Sequence, residues 1–240
     1  MTPAEVTFST SNSIKLSGHL YIPTTYQPGQ KLPAIAVAHP GGGVKEQTAD
    51  TEGTPRHVKD SYQGAEDIKA AVLVLWASVP GEAYSIHAVS TDQRVKALAT
   101  VSMAATLPRF EAAQVAAGEA RTHYARTGCR PMKVREGSEY YLTSRGWPCS
   151  IDQQDGRLGA TNISRTMIRF CKIEHIAPLA PFLLVAGEVA DTLKYSQRAL
   201  EKALELKEPF LVLGASHIEL YDRKVSQVTH KVVDFFKKSL

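Results

Sequence analysis

The chain is poor in cysteine and tryptophan, with 3 and 2 respectively in 240 residues. Cys129, Cys149 and Cys171 form an odd set without CxxC spacing, which argues against a disulfide framework and against a zinc site and leaves reduced thiols. No apolar stretch approaches the ~20 residues of a membrane span. The opening residues, MTPAEVTFSTSNSIKL, lack the basic segment and apolar run of a signal peptide, so a cytoplasmic protein with no membrane partner is expected. The formal charge of +4 is spread along the chain with no Lys/Arg run interleaved with aromatics, which removes support for nucleic acid as a partner. His87, His123, His175 and His230 show no ligand-like clustering, and neither a metal nor another cofactor is expected.

What is present is enough apolar residue, 43%, for one α/β core over residues 1–240. Residues 5–22 read as a β-hairpin that opens the sheet: VTF and IKLSGHLYI separated by Ser/Asn turn residues. PAIAVAH (33–39) is a continuous apolar run that ends in Pro and three glycines, the pattern of a fully buried central strand. VKALATVSM (95–103), PFLLVAG (181–187) and EPFLVLG (208–214) are further buried-strand patterns. TLKYSQRALEKALELK between the last two has apolar residues at helical spacing, and KVSQVTHKVVDFFKKSL closes the chain as an amphipathic helix with Lys in its last turn. Alternating β and α elements predict a mostly parallel sheet with helices on both faces. Residues 104–160 lack clean periodicity and read as a cap-like or loop excursion, and residues 43–66 cannot supply a buried strand.

Acyl transfer through a covalent intermediate needs a nucleophile, a base, a carboxylate that orients the base, and N–H donors facing the developing oxyanion. Asp191, in AGEVADTL, and His217, in GASHIELYD, each fall just beyond a predicted strand, so a parallel sheet carries both to one edge. In the chain order nucleophile, acid, histidine they take the last two places, His217 as general base and Asp191 as its orienter. Glu188 and Asp222 are rival carboxylates, and Asp191 also suits the N-cap of the helix that follows it. HPGGG (39–43) suits either a tight turn or an oxyanion loop.

These stretches resemble a dienelactone-hydrolase-like branch of the α/β-hydrolase superfamily that includes bacterial hydrolases and fungal polyketide transferases. SNSIKLSGHLYIP, PAIAVAHPGGGVKEQTA, EGTPRHVKD with AEDIKAAV, TDQRVKALATVSM, EYYLTSRG, LLVAGEVADTL and GASHIELYD carry the resemblance across nearly the whole chain. It implies an α/β-hydrolase fold, Asp191 and His217 as acid and base, and Gly42 and Gly43 as oxyanion-loop positions. The activity it implies is acyl transfer on an ester or thioester: a hydrolase, a thioesterase or a polyketide acyltransferase of secondary metabolism. The substrate would be a small or carrier-bound acyl group, with a polyketide synthase as a conceivable partner.

The chain departs from that family twice. After VKEQTA the family continues through a helix and an interior strand, whereas here Ala49 leads almost directly to EGTPR, so one interior strand–helix unit is expected to be missing. Where the family has an elbow such as RIGVVGICAWGGY with a nucleophilic Cys, this chain has VLVLWASVPGEAY, and Ser78 is the nucleophile candidate left. A catalytically inactive remnant, or a scaffold that binds an apolar ligand in the old pocket, is the competing expectation. Under the standard code Ala77 to Ala83 can be written GCA TCT GTG CCT GGG GAG GCT; shifted by the preceding G, the same letters encode Gly-Ile-Cys-Ala-Trp-Gly-Gly. The hypothesis that follows is a family elbow translated out of frame. Sequencing the transcript across residues 43–84 is expected to restore the elbow in the shifted frame, and cDNA that confirms the present frame over an intact locus would refute it.

Overall fold

The computed structural model describes residues 4–10, 13, 15–38, 75–78, 81–103, 180–203 and 206–240, with positions 115, 118–119, 122–123, 125–128 and 140 between them. The strands are β1 (Ala4–Ser9), β2 (Lys15–Leu20), β3 (Ala36–Ala38), β4 (Leu75–Ser78), β5 (Leu98–Val101), β6 (Phe182–Gly187) and β7 (Lys207–Val212). The helices are α1 (Gly81–Thr91), α2 (Leu193–Lys202) and α3 (Val225–Ser239), with one 3-10 turn at Ile218–Leu220. The expected cap-like excursion at 104–160 lies outside the described residues apart from those scattered positions, as do His39, Gly42 and Gly43.

The main sheet is five parallel strands in the order β3-β4-β5-β6-β7, the mostly parallel arrangement that the alternating sequence predicts. β5 and β6 are buried along their whole length, because each has a neighbour on both sides. Strand alternation divides their side chains between two faces. Ala97, Ala99, Val101, Leu183 and Val185 meet Val228, Val232, Phe235 and Phe236 of α3 in one apolar core. α1 packs on β4 and β5, and α2 packs on β6.

Two sequence expectations are corrected at the sheet's margins. The 5–22 hairpin forms, with Ala4 opposite Leu20 and Ser9 opposite Lys15, but it stands as a separate two-stranded sheet and does not open the main one. β3 is not a fully buried central strand: among the described residues it pairs only with β4, and Ile35 and Val37 are 49% and 46% exposed. β7 likewise alternates between exposed and covered positions as the opposite edge of the sheet.

At the end of β6 the backbone of Gly187 runs against the loop after β7. A Cβ added at Gly187 would lie 2.3 Å from the Ala215 carbonyl oxygen and 2.8 Å from that of Ser216. Both obstacles are backbone atoms, so the clash cannot be relieved by a rotamer change. Gly187→Ala is therefore expected to destabilise the fold by about 1–3 kcal/mol in denaturant unfolding, the usual cost of overpacking.

Candidate active site

The C-terminal ends of β6 and β7 bring two loops together. The Glu188 N–H donates to the Val212 carbonyl at 3.0 Å and the Val189 N–H to the Ala215 carbonyl at 3.1 Å. Glu188 adds a side-chain tie, its Oε2 accepting the Gly214 N–H at 2.8 Å. Gly214, at φ +64, supplies the left-handed turn that this crossing requires. Glu188, a rival carboxylate in the sequence, is thus engaged with backbone.

His217 stands in the second of these loops, inside a capping box that opens the 3-10 turn. The Ser216 N–H donates to Glu219 Oε2 at 2.9 Å, and the Glu219 N–H reaches back to Ser216 Oγ at 3.4 Å. The imidazole is half-buried and held at both nitrogens: Thr192 Oγ1 lies 2.7 Å from Nδ1 and Tyr221 Oη 2.9 Å from Nε2. The Tyr221 ring meets the imidazole edge-on at 5.5 Å between centroids and also touches Tyr140. In the tautomer with Nδ1–H donating to Thr192, Nε2 keeps its lone pair and accepts the Tyr221 O–H. Nε2 is then the basic nitrogen, and it is already presented to a hydroxyl.

Asp191 is placed at the same sheet edge, at the β6–α2 junction, one residue from the histidine's partner. Its side chain is exposed, and among the described residues it makes no hydrogen bond to His217. The N-cap of α2 is Thr192 and not Asp191, and the Thr192 hydroxyl does not cap the helix because it turns to the histidine. Ser78 is the last residue of β4, two strands away from β6 across β5, and α1 begins at Gly81, so a strand and then a helix flank the place where the elbow belongs. Asp222 follows the histidine, its Oδ1 accepting the neighbouring Arg223 N–H.

Three contributors escaped sequence reasoning: Thr192, Tyr221 and Ser102, whose hydroxyl donates to the His217 carbonyl at 2.9 Å. Tyr221 alone carried a usable signal, since four residues after His217 is the spacing of one helical turn. Among the described residues, no group of three or more His, Cys, Asp or Glu is arranged to hold a metal ion, and no helix is long and apolar enough to cross a membrane.

No family model matches the chain. PA2218, an uncharacterized protein of Pseudomonas aeruginosa, is 29% identical over 300 residues that cover 98% of this chain and 80% of the relative. Its crystal structure superposes with a TM-score of 0.71 at 25% identity, covering 99% of this chain and 94% of that one. YcjY of Escherichia coli, also uncharacterized, is 27% identical over 98% of this chain and 99% of its own length. The α/β-hydrolase GrgF of Penicillium sp. sh18 superposes with a TM-score of 0.62 at 18% identity, over 100% of this chain and 99% of that one. The fold is that of the α/β-hydrolases.

The capping box makes a pH prediction. The Ser216 backbone N–H bond holds the Glu219 carboxyl below the usual carboxylate range, helped by Arg223 and the Ser216 hydroxyl and opposed by burial. A lowered folded-state value means that the contribution is complete above the ordinary Glu range and lost as pH falls through the lowered value. The stability gap between wild type and Glu219→Gln is accordingly expected to narrow as pH falls below the ordinary Glu range in urea titrations.

Proposed function

We propose that this chain, built on the α/β-hydrolase fold, performs acyl transfer on an ester or thioester with His217 as general base. The observation that carries the reading is the histidine at the sheet's C-terminal edge, with Nδ1 tied to Thr192 and Nε2 turned to a hydroxyl. Ser78 is the candidate nucleophile and the Gly42–Gly43 loop the candidate oxyanion cradle. A serine Oγ attacks the acyl carbonyl, its proton passes to Nε2, and the departing alcohol or thiol takes that proton as the tetrahedral intermediate collapses. Water or an acceptor alcohol then releases the acyl group by the same steps in reverse order of roles. Asp191, adjacent to Thr192, is the candidate carboxylate for the imidazolium that forms in between.

The resemblance to a branch with polyketide transferases favours a small or carrier-bound acyl donor, and a polyketide synthase as its source. A second reading is an inactive remnant or ligand-binding scaffold. It is favoured by the exposure of Asp191, which among the described residues makes no hydrogen bond to His217.

Burst release from a p-nitrophenyl ester separates the two. Acyl transfer predicts a burst in wild type that falls by at least ~100-fold in His217→Ala, the usual worth of a general base, and that is lost in Ser78→Ala. A folded wild type with no burst on either an ester or an acyl thioester would sink the enzymatic reading and leave the scaffold.

A further inference from the structure

We infer that Ser102, at the tip of β5, is a positioning residue for His217; the inference rests on reading His217 as the general base. Two independent observations converge on it. The first is a bond that spans 115 positions of sequence, with the Ser102 hydroxyl donating to the His217 carbonyl oxygen at 2.9 Å. The second is the backbone of Ser102 itself, which lies at φ 60, a left-handed conformation that non-glycine residues seldom adopt.

Strain of this kind persists only where the surroundings over-determine it, and it gathers at functional sites. Ser102 is 1% exposed, and its N–H donates to the Val185 carbonyl of β6 at 2.9 Å, so the strained residue is pinned from its own backbone as well. A glycine would take this conformation without the penalty, yet it would carry no hydroxyl. The serine therefore keeps an unfavourable backbone together with a bond that only its side chain can make.

The bond acts on orientation. The His217 peptide leads directly into the 3-10 turn, at φ −55 and ψ −48. Anchoring its carbonyl fixes the peptide plane and hence the direction of the Cα–Cβ bond, from which the ring must reach Thr192 on one side and Tyr221 on the other. Without the anchor the loop retains its capping box but loses the tie to β5.

The test compares Ser102→Ala with Ser102→Gly, reading both stability and the imidazole. Nitrogen-15 and carbon-13 spectra of uniformly labelled protein, with His217→Gln to assign the resonance, report the tautomer and titration of His217 without any substrate. Both variants are expected to convert a single-tautomer signal into an exchange-averaged one and to shift its titration midpoint. Ser102→Gly, relieved of the left-handed penalty, is expected to unfold at higher denaturant than Ser102→Ala while its histidine is equally loosened. Wild-type tautomer and titration in both variants would overturn the assignment, even with stability lost. A Gly variant no more stable than the Ala variant would overturn the part that rests on strain. The readout needs no ester turnover, so an absent burst and an unperturbed imidazole are separate failures.

Discussion

The close passage of Gly187 beneath the Ala215–Ser216 backbone is the constraint on which the candidate site depends. It lets the loop after β6 and the loop after β7 pack carbonyl against Cα with no side chain between them. Once they are that near, Val189 can bond to Ala215 and Glu188 to Gly214, and the two loops become one hydrogen-bonded layer. Thr192 and His217 are carried one on each of the two loops, and the crossing brings them to their 2.7 Å contact. The site geometry is thus a consequence of backbone proximity, with the polar side chains arranged on top of it.

The histidine that results is held differently from the one the sequence suggests. Its ring partners among the described residues are hydroxyls, and a hydroxyl can select a tautomer but itself brings no full charge to the imidazolium. A carboxylate about 4 Å away would be worth roughly 4 kcal/mol to the charged ring at an effective dielectric near 20. Thr192 therefore gives orientation, and under the proposed function charge compensation would fall to a carboxylate, for which Asp191 at the same junction is the candidate. Tyr221 adds a second role for the short HIELY segment, because one helical turn places its phenol on Nε2 and its ring against the apolar core.

Much of the fold was legible because it follows from periodicity. The β6–α2–β7 unit and α3 lie close to where apolar spacing puts them, and the hairpin pairs as its Ser/Asn turn suggests. The sheet edge shared by Asp191 and His217 was legible as well, since parallel strands align their C-terminal ends. Thr192 and Ser102 were not, because a hydroxyl's partner across 25 or 115 residues leaves no mark on local sequence, whereas Tyr221 stood one helical turn from His217. The burial of β3 was misread for a related reason. PAIAVAH is apolar enough for an interior strand, but burial is conferred by neighbours, and among the described residues only β4 lies beside it.

The described residues fall into two parts of different standing. On one side β5, β6 and α3 share the core of Leu183, Val185, Phe235 and Phe236, and Thr192 and His217 follow β6 and β7 beside it. On the other side β3 offers Ile35 and Val37 to solvent, and the hairpin stands apart with Leu20, Tyr21 and Ile22 exposed. Apolar surface of that extent along an open sheet edge is what a partner strand would have covered. The candidate nucleophile Ser78 ends β4, next to the edge strand β3, whereas Thr192 and His217 follow β6 and β7, two and three strands from β4. The described hydrogen bonds of His217 run to Ser102, Thr192 and Tyr221, and so its placement draws on β5, β6 and its own loop and not on β3 or β4.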